Sequence, residues 1–387
     1  MTKKLDITEL LHTASERTGL SDFGPPDFRE ALEVLVKGIN EEVHIDRWYD
    51  LRERFLRLLM NRLWFAKDLA EHPEILDEDV GSPIVISALP RTASTKLHRM
   101  LGASGAFRVT PMWQTHMFAR IPGLPEGGRA RRIAETKEYE DWQYRISPGL
   151  LVGHPMFTHE PEEDKDLGEF TFRHTTLLGM FSSMAYAGWV MQADMVPMYD
   201  YLLAQLKYLQ WQAREWGDTV TKPWLLKTPC HFGYETYLDR IFDQPRFIVT
   251  HRDPTKCIPS ICTASLSARK LYSDEDTATN VGASVSALFS RSAQDHLQWR
   301  DRHPGRPILD LAFAEINGDG MSATRKVFDF FGLPMSAQAE AGMRGWEENN
   351  RRDRHAPGVY SSEMIGMTDD QLREAFKPYI SRFPSLL

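Results

Sequence analysis

The chain has 387 residues, of which 42% are hydrophobic and 26% charged, ordinary values for a globular protein. That length can bury a large core, as one big α/β domain or two smaller ones. The net charge of −8 argues against wholesale nucleic-acid binding, so any site for a polyanion must be a local concentration of basic residues.

Three cysteines, Cys230, Cys257 and Cys262, have neither metal-ligand nor disulfide-framework spacing. They suit a reducing cytoplasm. Met1-Thr-Lys-Lys-Leu-Asp leads into mixed charge and lacks the apolar core of a signal peptide.

Residues 1–80 read as an N-terminal helical layer packed on the rest. Its segments are Ile7 to Leu20, Phe28 to Val36, and Glu41 to Glu71 with a stripe through Leu51, Phe55, Leu58 and Leu59. Residues 81–387 read as an α/β domain. Ile84-Val85-Ile86 is a short strand, Pro90 to Thr95 a loop of small and hydroxyl residues, and Leu97, Met100 and Leu101 the face of a helix. Strand, tight loop and helix start gather backbone N–H groups at a helix N-terminus, a ready anion site. Arg91 adds a positive charge; Ser94 and Thr95 add hydroxyl donors. The loop is not a Walker A sequence, because residues 88–95 contain no glycine.

Phe107 to His116 reads as a second strand and its exit. The Arg run in 128–146 reads as a solvated helix face, and the acidic run Glu160 to Asp166 as a solvated turn and helix start. Thr175 to Ala193 carries no charge but is too polar for a membrane span. It reads as a core helix or pocket wall. Met198 to Trp216 is amphipathic. Trp224 to Lys227 is a buried strand, with Lys227 at the carboxyl end where parallel sheets bind ligands. Phe247-Ile-Val249 is another strand, running into Arg252-Asp253-Pro254 and a helix that Asp253 caps. A long helix over about 274–300, a strand over 307–312 and a helix capped by Ser322 follow. Asn349 to Tyr360 is a basic loop.

Pro90-Arg91-Thr92-Ala93-Ser94-Thr95 resembles the phosphosulfate-binding loop of sulfotransferases that use 3′-phosphoadenosine-5′-phosphosulfate (PAPS). The bacterial branch with a Pro-Arg-Thr-Gly-Thr-Thr loop is most similar. Ala93 stands where that branch has glycine; if the position needs a positive φ, alanine carries strain. The resemblance extends through Glu160-Pro161-Glu162-Glu163-Asp164, Leu226-Lys227-Thr228-Pro229-Cys230-His231, and Arg252 with Ser260 eight residues on. One carboxylate is missing: Gln114 follows Trp113 where the family often has glutamate.

The resemblance implies a P-loop-like parallel sheet flanked by helices. It implies transfer of a sulfuryl group from PAPS to a hydroxyl of a small acceptor, without a metal ion. Arg91, Thr92, Ala93, Ser94 and Thr95 would hold the 5′-phosphosulfate. Arg252 and Ser260 would hold the 3′-phosphate, and Arg351 and Arg354 of the basic loop would close over the nucleotide. Arg91 and Lys227 would stabilise the leaving group. Glu160, His231 and His116 compete as general base. Methionines and aromatics in 175–193 point to a lipophilic alcohol or phenol. Two alternatives are a nucleotide kinase of P-loop type and a non-catalytic protein of the same fold.

Overall fold

The computed structural model describes residues 4–181, 183–275, 278–350 and 360–387. Four strands, β1 (Ile84–Ile86), β2 (Leu225–Lys227), β3 (Arg246–His251) and β4 (Ile308–Ala312), form one parallel sheet in the order β2-β1-β3-β4. The register pairs Ile86 with Lys227 on one side and with Ile248 on the other. Side chains alternate between faces along a strand, and the core divides accordingly. Ile84, Ile86, Leu225 and Ile248 enter one apolar cluster; Val85, Leu226 and Phe247 enter another. The chain goes from β1 to β2 on one flank, then to β3 on the other. The carboxyl ends of β1 and β3 therefore flank a topological switch point, where open α/β sheets bind ligands.

The N-terminal helices are α1 (Ile7–Thr18), α2 (Phe28–Glu42) and α3 (Trp48–Glu71). Their buried stripes share the cluster that holds Val85 and Leu226. The third helix starts later than its sequence pattern suggests. The amides of Asp46 and Arg47 donate instead to the Tyr272 carbonyl, which ties the α2–α3 turn to the far side of the chain.

Four expectations are corrected. Residues 107–116 form no strand: Arg108 makes a single parallel bridge with Trp224, and Met112–His116 is a short helix. The helix Arg129–Ile146 is present, but its Arg run is not wholly solvated. Arg132 is buried and donates to the Met117 and Phe118 carbonyls and to Gln212. Asp319, rather than Ser322, caps the helix Gly320–Phe330 and accepts from the Ser322 amide. The acidic run is inward: Glu162, Glu163 and Asp164 are all buried. Pro161 bridges Pro111, and the chain then turns under the sheet's carboxyl edge into the helix Lys165–Gly168. No helix among the described residues is long and apolar enough to cross a membrane.

Candidate active site

The β1 loop is shaped by two left-handed residues, Arg91 (φ 68°) and Ala93 (φ 65°), on either side of Thr92. Alternating handedness turns successive backbone N–H groups toward one point and makes a concave anion nest. Ala93 is also the N-cap of α4 (Ser94–Ala103). A Cβ in this conformation costs about 1 kcal/mol, and glycine would not bear that cost.

Thr92 fixes the loop from below. Its buried hydroxyl donates to the Leu89 carbonyl at 2.9 Å and lies 2.6 Å from the Thr250 hydroxyl on β3. The end of β3 is clamped in turn. His251 lies between the Tyr379 hydroxyl at 2.8 Å and Asp310 at 2.7 Å. Burial pushes the Asp310 carboxyl up, but Arg300 and His251 outweigh it and hold it at about 2.

Arg252 follows directly. Its guanidinium lies 3.9 Å over the Phe313 ring and donates to the Arg91 carbonyl at 3.0 Å. Arg91 donates from Nε to Ser260 at 3.0 Å and from its guanidinium to the Gly153 carbonyl. The β1 loop, the end of β3 and the helix Pro254–Arg269 thus meet at one place. Arg91 and Ser260 were expected at opposite phosphates, yet their side chains touch.

Lys227 ends β2, buried among polar partners. Its ammonium donates to the Thr95 hydroxyl at 2.9 Å and pairs with Glu163; its backbone N–H donates to Asp164 at 2.8 Å. Burial raises the Glu163 carboxyl, but Lys227, His154 and Lys165 outweigh it and hold it below the usual range. Asp164 is also depressed: burial opposes ionisation, and His231, 2.6 Å away, overcomes it.

Arg91, Ala93, Ser94, Thr95, Lys227, Arg252 and Ser260 all line one cavity of about 1580 Å³. That exceeds the roughly 300–1,000 Å³ common for a single small ligand. The far part of the cavity is walled by the helices Thr176–Phe181 and Met184–Val190, with Met180, Phe181, Met184 and Met191 facing it. Tyr186 and Trp189 of the same stretch do not line it; Tyr186 is buried and spans to the Phe172 carbonyl.

The three candidate bases separate. Glu160 does not line the cavity; it accepts from the Trp346 indole at 3.4 Å. His231 does not line it either, and is locked between Asp164 and the Tyr199 hydroxyl at 3.1 Å. His116 does line it, stacked on Tyr139 with ring centroids 4.3 Å apart. Burial, then Arg57 and Arg54, push its imidazole well below the ordinary histidine range. Glu163, three residues past Glu160, does reach the cavity, where it pairs with Lys227. The signal available in sequence was Pro161, which marks the point where the chain bridges Pro111 and the residues that follow become buried. Arg351 and Arg354 lie outside the described residues.

His154, Glu162 and Glu163 bring ligand-type atoms within 4.8 Å of one another. Arg99 already pairs Glu162 at 3.5 Å and Lys227 pairs Glu163, so the cluster is an ion-pair network.

A strand-loop-helix nest and a basic strand end thus meet one large cavity at a switch point of a parallel sheet, the arrangement of an α/β fold of P-loop-like kind. A profile of the sulfotransferase family matches residues 83–337, about two thirds of the sequence, and the chain belongs to that family. The fold is similar to that of sulfotransferase STF1 from Mycobacterium tuberculosis H37Rv: TM-score 0.82, 23% identity, 98% of this chain and 100% of that one covered. It is also similar to sulfotransferase STF9 from Mycobacterium avium: TM-score 0.84, 24% identity, 99% of this chain and 98% of that one covered. No curated protein matches the sequence at a significant level.

Proposed function

We propose that the protein transfers a sulfuryl group from PAPS to the hydroxyl of a small acceptor with a substantial apolar body. The observation that carries the reading is the convergence of the β1 nest, Lys227 and the Arg252–Ser260 pair on one cavity with room for a nucleotide and a second ligand. The donor set fits a nucleotide with phosphates at both ends: backbone amides and hydroxyls at one end, guanidinium groups and a serine at the other. PAPS, when bound, supplies the sulfuryl group and leaves as 3′-phosphoadenosine-5′-phosphate (PAP).

The chain's own residues then have separate tasks. The amides of 91–95 and the Ser94 and Thr95 hydroxyls bind the 5′ end. Arg252, Ser260 and Arg91 bind the 3′-phosphate; Arg91 joins this group because its side chain already meets Ser260. Lys227 sets a positive charge where negative charge develops on the leaving oxygen. Glu163 accepts the hydroxyl proton. Held by Lys227 it is a weak base; once Lys227 turns to the leaving oxygen, the strongest of the charges holding it down is gone and its basicity rises. The acceptor's oxygen–sulfur bond forms as the sulfur–oxygen bond to the phosphate breaks, and the electron pair stays on the phosphate. We further place the protein in the cytoplasm.

Radiolabelled PAPS offered with a mixture of small alcohols and phenols, resolved by mass spectrometry, tests the reading. Labelled sulfate esters are expected; tight PAP binding with no transfer to any acceptor would favour a non-catalytic role.

A further inference from the structure

Among the charged residues that line the cavity, the cations Arg54, Arg57, Lys165 and Lys227 stand with the carboxylates Glu163, Asp166 and Glu169. Three of these four cations are matched. Lys227 pairs with Glu163, Lys165 with Asp166 at 2.5 Å, and Arg54 with Glu169. Arg57 is left over. Among the described residues no carboxylate lies within ion-pair distance of it. Its one side-chain hydrogen bond goes to the His116 carbonyl, and its guanidinium carbon stands 5.8 Å from the Phe170 ring centroid.

A charge taken out of water without a partner is unfavourable. The effect is visible here: burial, then the neighbouring Arg54, lower Arg57 to about 10. The carbonyl bond alone does not call for a guanidinium, since a neutral donor would cap the short helix equally well.

Arg57 belongs to α3, in the N-terminal layer, and not to the loops that meet the nucleotide. Its surroundings are aromatic. Tyr139 and Tyr272 both lie within reach of its neighbour Arg54, and Phe181 of the apolar wall packs on Tyr272 with centroids 5.9 Å apart. A planar fork of N–H donors beside a greasy wall suits a carboxylate on an apolar body.

We propose that the acceptor is an anionic amphiphile, a hydroxylated carboxylic acid whose carboxylate is held by Arg57 while its hydroxyl lies at Lys227 and Glu163. The proposal rests on the sulfuryl-transfer reading for the hydroxyl, but the carboxylate site stands on its own contacts. A neutral sterol or simple phenol would leave the half-buried Arg57 without a carboxylate partner.

Binding of decanoate, methyl decanoate and decanol, measured by calorimetry in the presence of saturating PAP, tests it. Decanoate is expected to bind at least tenfold more tightly than either neutral probe. Arg57→Gln is expected to abolish that preference and Arg57→Lys to keep most of it, with PAP affinity unchanged in both. Equal binding of the three probes, no binding of any, or a carboxylate preference that survives in Arg57→Gln would overturn the proposal. Loss of PAP binding in the unaltered protein is a separate result. It would strike the donor assignment and leave the carboxylate site to be read from the same probes without PAP.

Discussion

The two ends of the cavity are built in opposite ways. The end we assign to the donor comes from three strand ends, and each contributing residue lies within nine positions of a strand: 90–95 after β1, Lys227 on β2, Arg252 and Ser260 after β3. The end we assign to the acceptor is assembled from α3, the helix Arg129–Ile146, the acidic turn and the helices of 176–190, which are far apart in sequence. A site made by local backbone geometry tolerates little change in sequence pattern. A site made by long-range packing can be rebuilt piece by piece, which lets one donor serve different acceptors.

The contrast can be broken first where the two ends touch. Lys227→Ala is expected to reduce turnover by about 10³-fold, the effect of removing a preorganised group aimed at developing charge. Glu163→Gln should cost about 10²–10⁴-fold, as for a general base, whereas Glu160→Gln should leave rates near normal. Equal losses at 160 and 163 would show that the cavity wall has been read wrongly. All three variants are checked by initial rates with labelled PAPS.

At the donor end alone, Arg252→Ala should weaken PAP binding by about 2–5 kcal/mol, measured by calorimetry. Unchanged affinity would remove Arg252 from the nucleotide site.

A third change probes the rigid floor below both ends. His98, in α4, is buried; burial and then Lys227 lower its imidazole to about 4. Its folded pKa lies below the unfolded value of about 6.5, so the unfolded chain binds the proton more readily. Stability therefore falls as pH drops from about 6.5 toward 4, by up to about 3 kcal/mol from this group. Thermal melts across that window should show a shallower slope in His98→Asn.

The smallest effect sharpens the account of the nest. Ala93→Gly removes a Cβ from a left-handed residue but adds freedom to the unfolded chain, for a net gain of about 0.5 kcal/mol. A melting temperature that falls would mean that the alanine methyl packs more favourably than its backbone angle suggests.

These differences also explain what could be read from sequence. The parallel sheet, three of its four strand ends and the strand-loop-helix order at β1 follow from short apolar runs and the residues just after them, whereas the left-handed turns at Arg91 and Ala93 do not. The α3 cations were harder to see. Arg54, Asn61 and Arg62 fall in phase with Leu51, Phe55, Leu58 and Phe65, so the stripe carries polar groups on its buried side. Periodicity registers the apolar members and passes over the charged ones, because burying a charge depends on partners elsewhere in the chain. The same limit hid Arg132 and the inward turn at Glu162–Asp164, whose partners are Arg99, Lys227 and His231.

One short segment reaches both halves of the molecule. Glu163 holds Lys227, and Glu169, six residues later, holds Arg54. A ligand that draws Lys227 away loosens one anchor of this segment, and a ligand beside Arg54 and Arg57 stresses the other. Occupancy of each half is then felt by its neighbour, and by reciprocity the factor by which donor changes acceptor affinity equals that by which acceptor changes donor affinity. The acidic turn would act as a balance arm, making order of addition a property of the protein and not only of its two ligands.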